Sequence, residues 1–70
     1  MKKLGIFLAN GCEEIEALTV VDVVRRAGME VVMISISEEL QIKGAHNIIF
    51  QAEVTAKEAD FDSLDGIVLP

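Results

Sequence analysis

The spacing of apolar residues changes twice within the first 36 positions of the chain. Residues 3–9, KLGIFLA, form a short and nearly continuous apolar run that ends at the turn pair Asn10 and Gly11, which is typical of a buried strand. From residue 13 to residue 27 the apolar positions recur at intervals of three and four, as on one face of an α-helix. Residues 29–36, MEVVMISI, are again an apolar run. This order predicts a parallel strand–helix–strand unit with a right-handed crossover.

The residues at both ends support the predicted helix of residues 13–27. Three glutamates occupy its first turn and two arginines its last, so each charge opposes the partial charge of the helix end. Gly28 follows at the position of a left-handed C-terminal cap. The apolar stripe is wide, because Ile15, Leu18 and Val23 lie off its main line. A helix that is apolar on more than one side is usually covered by more than one neighbour.

The rest of the chain predicts smaller elements. Residues 41–44 and 47–51 read as two short strands of a hairpin beside the main sheet. Residues 55–59 predict a short helix or helical turn, and the polar loop after it has Phe61 and Leu64 as apolar anchors. GIVL, residues 66–69, predicts a third buried strand. We therefore expect the opening of a three-layer α/β sandwich, whose functional crevice lies beyond the carboxyl ends of the parallel strands.

Length and composition limit the domain organisation. Seventy residues allow at most one domain, because a chain this short buries only about 60% of its unfolded surface. Yet 51% of the residues are apolar and the mean hydropathy is +0.43. This apolar content is high for a small domain, which must cover its core with polar residues. Either an oligomer covers this apolar surplus or the segments belong to a larger domain. DGIVLP, residues 65–70, ends the chain as an apolar run, and this favours the larger domain.

Charge and cysteine content exclude several functional classes. Twelve acidic and six basic residues give a net charge of -6, the wrong sign for binding a nucleic-acid backbone. No apolar run approaches the roughly 18 residues that span a bilayer, and no signal peptide is evident. The single cysteine, Cys12, excludes an internal disulfide framework and fits a reducing compartment. We expect a cytoplasmic protein with no membrane partner, and the sequence predicts no cofactor and no metal.

The stretch NGCEEIEAL places three carboxylates in the loop and first helical turn after the first strand. Helix N-termini favour negative charge by about 0.3–1 kcal/mol per group, which accounts for all three without chemistry. The alternative concerns Glu16, which is flanked by the apolar residues Ile15 and Ala17. We expect Glu16 to be the partly desolvated carboxylate, able to donate a proton near neutral pH. Glu13 and Glu14 are expected to cap the helix in solvent.

Four further side chains are candidates for chemistry or contacts. Cys12 precedes a helix N-terminus, which favours a reactive thiolate, but the adjacent carboxylates oppose a further anion, and a small residue filling a tight turn is the alternative. His46 has the chemistry of a base or a metal ligand. Because the chain has no second histidine, a structural or interface role is the alternative. Asp22 and Arg26 are four residues apart and are predicted to pair on the helix.

The stretches GCEEIEAL and VDVVRRAG, followed by a strand that ends in Leu69 and Pro70, resemble the N-terminal part of the ThiJ/PfpI superfamily, in particular its protein deglycases. The resemblance covers nearly the whole chain. It implies a flavodoxin-like three-layer sandwich with a mainly parallel sheet, of the class I glutamine amidotransferase-like kind. Residues 1–70 are then expected to be the N-terminal part of a single domain that is incomplete at its C-terminal end.

The resemblance also implies a function. In this superfamily the last glutamate of the acidic motif, which falls on Glu16, hydrogen-bonds a reactive cysteine as a protonated or proton-sharing carboxyl. Members are described as deglycases or glyoxalases acting on methylglyoxal or its adducts, which implies a cysteine-dependent enzyme with a small carbonyl substrate. A non-enzymatic oxidative-stress sensor, a chaperone and an intracellular protease are the alternatives. The nucleophile is expected beyond Pro70, and Cys12 falls where many relatives carry a small residue, so residues 1–70 alone are expected to be inactive.

The implied partners follow from the same resemblance. We expect a homodimer through the helix of residues 13–27, and contact with the rest of the domain or with a complementary chain. Gly11, Asp22, Arg26 and His46 match positions at the dimer interface or the pocket.

Overall fold

The computed structural model describes residues 2–69. Its elements are six strands, one α-helix and one short 3-10 turn, in the order β1 (Lys3–Leu8), α1 (Glu14–Arg26), β2 (Glu30–Ser35), β3 (Gln41–Lys43), β4 (Ile49–Gln51), β5 (Val54–Thr55), the 3-10 turn (Phe61–Ser63) and β6 (Gly66–Val68). The predicted helix, its two flanking strands and the hairpin are therefore confirmed. Pro70, part of the last predicted segment, lies outside the described residues.

Four strands form a parallel sheet in the order β5–β2–β1–β6. Strands β1 and β2 pair over their whole length, from Lys3 opposite Glu30 to Leu8 opposite Ser35. Strands β3 and β4 form a separate antiparallel pair. Because every strand of the main sheet runs in one direction, the loops that leave β1, β2 and β6 all emerge at one edge.

One apolar core lies between the sheet and α1. Alternate residues of β1, Ile6 and Leu8, are at most 1% exposed and pack against Ala17 and Val21 of the helix. The hairpin belongs to the same core, because Ile42 of β3 is 1% exposed and lies in the same cluster. Burying a side chain of this size stabilises a fold by about 1.5–3 kcal/mol. The core therefore joins β1, α1 and the hairpin into one unit.

The opposite face of the sheet is covered by the segment around the 3-10 turn. Gly5 leaves room on this face for Leu64, since a Cβ at Gly5 would lie 2.7 Å from Leu64 Cδ1. The rings of Phe7 and Phe61 have their centroids 5.9 Å apart. The prediction that this loop has apolar anchors is thus confirmed for Leu64, whereas Phe61 contacts Phe7 but stays 42% exposed.

Residues 55–59 form the helical turn that the sequence predicted as one of two alternatives, with the amides of Glu58 and Ala59 both donating to Thr55 O. The residues before this turn form β5, a parallel strand that the sequence did not predict. Strand β6 was expected to be buried, but it is an edge strand within residues 2–69, and its Ile67 is 52% exposed. Only one of its sides has a neighbouring strand there.

Candidate functional site

The loop that leaves β1 is hydrogen-bonded to the hairpin of β3 and β4. The amide of Lys43 donates to Asn10 Oδ1 at 2.9 Å, and the amide of Gly11 donates to Lys43 O at 2.8 Å. One residue further, the amide of Ala45 donates to Cys12 O at 2.8 Å. Gly11 adopts φ +87°, a left-handed conformation that glycine adopts without strain. These bonds hold the acidic loop at the carboxyl edge of the parallel sheet, where α/β proteins place their sites.

Glu14 continues this contact with its side chain. It is 0% exposed, and its two carboxylate oxygens accept hydrogen bonds from the backbone amide of His46 at 3.1 and 3.0 Å. The ring Nδ1 of His46 also contacts Glu14 Oε1. Gly44 lies directly against the carboxylate, since a Cβ at this position would be 1.7 Å from Glu14 Oε2. The absence of a side chain at Gly44 therefore makes the space that the carboxylate fills.

The two partners shift each other's pKa in opposite directions. Burial raises the pKa of Glu14, but the hydrogen bonds from the ring and backbone of His46 outweigh it, and the pKa falls below its ordinary value of 4.5. The hydrogen bond with Glu14 raises the pKa of His46 above its ordinary value of 6.5, and the charges of Glu14 and Glu13 act in the same direction. Both shifts favour a carboxylate paired with an imidazolium.

The expectation about desolvation was wrong for these glutamates. Glu14, expected in solvent, is fully buried, whereas Glu16, expected to be partly desolvated, is exposed within the described part of the chain. Helical register explains the reversal, because the buried positions of α1 are Glu14, Ala17 and Val21, spaced by three and four. The spacing of Glu14 to Ala17 and Val21 carries this signal in the sequence, whereas the apolar neighbours of Glu16 along the chain lie on other sides of the helix. The pairing of Glu16 with a cysteine stays a prediction.

Asp22 and Arg26 lie apart from this pair, whereas Cys12 belongs to the same loop. Arg26 Nε donates to both carboxylate oxygens of Asp22 at 3.1 Å, which confirms the predicted pairing. Both side chains are well exposed, and Asp22 lies roughly 12 Å along the helix axis from Glu14, at about 1.5 Å per residue. Cys12 is partly buried and packs against the core, consistent with a small residue that fills the turn.

An apolar depression of about 250 Å³ adjoins the carboxyl ends of the central strands. Its lining is Phe7, Leu8, Ala9, Ile36 and Leu69. Within residues 2–69, no three His, Cys, Asp or Glu side chains come close enough together to hold a metal ion. No helix of these residues is both long and apolar enough to cross a bilayer.

A parallel sheet in the order β5–β2–β1–β6, with α1 as the crossover from β1 to β2, is the arrangement of a flavodoxin-like α/β protein. Residues 2–70 match the DJ-1/PfpI family. The chain belongs to this family, and the resemblance found in the acidic and arginine-containing motifs is confirmed.

Known proteins agree with this assignment over the length of the chain. Protein DJ-1 homolog B of Arabidopsis thaliana is 36% identical over 63 residues, which are 90% of this chain and 14% of that protein. Oxidized Toxoplasma gondii DJ-1 has a TM-score of 0.93 at 28% identity over 100% of this chain and 38% of its own. A cysteine-to-alanine mutant of a Salmonella typhimurium DJ-1 superfamily protein has 34% identity, a TM-score of 0.93 and the same coverage. The chain thus spans a minor part of each relative.

Proposed function

We propose that this chain is the N-terminal part of a cysteine-dependent enzyme that acts on methylglyoxal or its adducts. A cysteine outside the 70 residues attacks the substrate's carbonyl carbon, and Glu16 shares a proton with its sulfur. The observation that carries the proposal is the contrast between two glutamates of one helical turn. Glu14 is buried and bound by His46, whereas Glu16 is exposed at the carboxyl edge of the sheet. No ion pair within residues 2–69 includes Glu16.

Two relatives support a role for thiol chemistry. The Toxoplasma protein was solved in an oxidized form, and the Salmonella protein was solved with a cysteine replaced by alanine. A carboxyl that donates a hydrogen bond to a thiolate lowers the pKa of the thiol and so increases the fraction of nucleophile at neutral pH.

The test is turnover of methylglyoxal by the complete protein. We expect Glu16→Leu to lower kcat/KM by about 100-fold or more, the scale of losing a proton-transfer group. Glu30→Leu is the matched control, because Glu30 is also exposed but begins β2 at the opposite edge of the sheet. Cys12→Ala is expected to retain activity. Equal activities of the Glu16 variant and wild type would remove Glu16 from the mechanism.

The same protein separates the non-enzymatic alternatives. If every cysteine is replaced by serine, the proposal predicts complete loss of turnover. Suppression of aggregation that survives these replacements, in a protein without turnover, would favour a chaperone. Cleavage of a protein substrate by the wild type would favour the protease alternative.

We also propose that the outer face of α1 forms a homodimer contact. Ile15 and Val23 are each 58% exposed, and their spacing of eight residues places them on one side of the helix. Val23→Glu should convert the complete protein to a monomer in sedimentation-velocity measurements. Ile49→Glu is the control, because Ile49 is 57% exposed on the hairpin. A monomeric wild type, or dissociation by both variants, would count against this contact.

A further inference from the structure

The Glu14 carboxylate fixes the position of the His46 ring. The same carboxylate binds the backbone amide and ring Nδ1 of His46, so both the chain and the ring are held by one buried group. An ionised carboxylate only accepts hydrogen bonds, and therefore Nδ1 carries the hydrogen in this contact. A carboxylate that holds a histidine through Nδ1 sets the tautomer and leaves Nε2 for chemistry, as in catalytic triads.

The other edge of the ring is open. The His46 side chain is 51% exposed, against 0% for Glu14. Within residues 2–69, Nε2 has no hydrogen-bond partner among the side-chain contacts of His46. In the imidazolium form Nε2–H is a donor, and in the neutral form Nε2 is an acceptor. The buried carboxylate favours the donor form.

The negative charge around His46 favours a neutral ligand over an anion. The titratable groups that act on the ring are Glu14, from α1, and Glu13, immediately before it, and the chain as a whole carries a net charge of -6. A free anion would meet repulsion from these carboxylates. A neutral carbonyl compound avoids this repulsion, and its oxygen gains negative charge only when a nucleophile adds to the carbon.

We propose that Glu14 and His46 form a catalytic dyad in which His46 Nε2–H donates a hydrogen bond, and then its proton, to the carbonyl oxygen of the substrate. His46 is the catalytic residue, and Glu14 is a positioning residue that acts through it. This role deepens the proposed function and rests on it for the identity of the nucleophile, a cysteine thiolate outside the 70 residues.

The step balances as an addition. The thiolate sulfur forms a bond to the carbonyl carbon, the π electrons of the C=O bond move to oxygen, and the oxygen takes the proton from Nε2. The product is a hemithioacetal or hemithioketal and a neutral His46. Solvent returns the proton to Nε2, and the Glu14 carboxylate favours its return.

The first test observes the dyad without turnover. The complete protein, with every cysteine replaced by serine and histidines labelled with ¹⁵N, is titrated with hydroxyacetone, which presents a carbonyl oxygen. His46 is assigned by comparison with His46→Gln. We expect a saturable change at its Nε2 resonance. No saturable change at Nε2 across the hydroxyacetone titration would overturn the binding part of the proposal, whatever the enzyme's activity.

The second test uses the pH dependence of kcat with methylglyoxal. His46→Gln should lower kcat at pH 7 by about 100-fold, within the range for losing a general acid. Glu14→Gln should move the alkaline limb of the profile to lower pH by about one unit, the effect of losing an opposite charge. Glu13→Gln removes a charge but no hydrogen bond to His46, so it should move the limb by less than half as much.

Two results would overturn the catalytic role. One is a kcat of His46→Gln within about threefold of wild type, and the other is an alkaline limb that Glu14→Gln leaves in place. Alkylation of the reactive thiol by iodoacetamide is the separate check on the nucleophile, and His46→Gln should leave its rate within about twofold. If the wild type shows no cysteine-dependent turnover, the proposed function is refuted. The hydroxyacetone titration then tests by itself whether His46 Nε2 binds a carbonyl oxygen.

Discussion

Gly44→Ala tests the contact that joins the hairpin to the start of α1. The added Cβ would lie 1.7 Å from Glu14 Oε2 and 2.4 Å from Glu14 Cδ, far inside van der Waals contact. Glu14 is 0% exposed, so its carboxylate has no open solvent into which it can move while it stays bound to His46. Gly44 does not have a positive φ, so the backbone itself accepts alanine. The predicted loss is therefore steric.

We expect this substitution to lower the free energy of unfolding by about 1–3 kcal/mol, the usual cost of overpacking a filled site. The assay is urea unfolding of the complete protein at pH 7. Gly28→Ala is the contrasting variant, because a Cβ there meets nothing within 4 Å and the cost comes only from its φ of +87°, about 1–2 kcal/mol.

A second substitution distinguishes the two costs. Glu14→Ala removes the carboxylate atoms that would clash most closely but keeps Glu14 Cβ, 2.8 Å from the added Cβ, so adding Gly44→Ala to it should cost clearly less than it does in wild type. Adding Gly28→Ala to Glu14→Ala should instead cost as much as it does in wild type, because distant sites are additive. A neutral Gly44→Ala, or a cost that is unchanged in the Glu14→Ala background, would contradict a steric contact between Gly44 and the Glu14 carboxylate.

Three further predictions concern pH, packing and a surface pair. Because the pKa of His46 is raised in the folded protein, its contribution to stability is complete below about pH 6.5 and is lost as pH rises through the folded pKa. Because the pKa of Glu14 is lowered, its contribution is present above about pH 4.5 and is lost as pH falls through the folded pKa. The difference in unfolding free energy between wild type and His46→Gln should therefore be largest between pH 4.5 and 6.5 and shrink by pH 9; a difference independent of pH would contradict this. Gly5→Ala should cost about 1–3 kcal/mol in urea unfolding, because its Cβ would lie 2.7 Å from Leu64 Cδ1, and an unchanged midpoint would refute the packing described. Arg26→Gln should cost less than about 0.5 kcal/mol, since its ion pair is exposed, and a larger loss in the same assay would show that the pair is covered in the complete protein.

Periodicity predicted the elements that bury a continuous face. The nearly continuous apolar run of β1 and the three-and-four spacing of α1 locate both within one or two residues of their observed ends. Gly28, expected as the residue after the helix, adopts the left-handed conformation. These features depend on local sequence, and so the sequence was sufficient for them.

Elements fixed by distant contacts were not predictable in the same way. Strand β5 has only two residues, too few for a pattern. It pairs with β2 next to Glu53, whose backbone amide donates to Met33 O and whose carboxylate accepts from the Met33 amide. This contact joins residues that are about 20 positions apart in the chain. A short stretch of sequence around either residue therefore cannot predict it.

The candidate site was predictable in location but not in detail. The acidic motif indicates the loop after β1, and the sequence allows a structural or a chemical role for His46. Their association required knowing that the hairpin packs against the start of α1, and that Gly44 leaves space for the Glu14 carboxylate. Glu14 lies three residues before Ala17 and seven before Val21, on the same face of α1. This helical register is the feature of the sequence that indicates a buried Glu14.

The proposed function rests on Glu16 and a cysteine, and the pKa of that thiol is its most direct test. The measurement is the rate of iodoacetamide alkylation of the complete protein as a function of pH, in wild type, Glu16→Leu and the control Glu30→Leu. Glu16→Leu should raise the thiol pKa by about one unit or more, while Glu30→Leu should leave it at the wild-type value. A reactive thiol with the same pKa in all three proteins would contradict the proposed function.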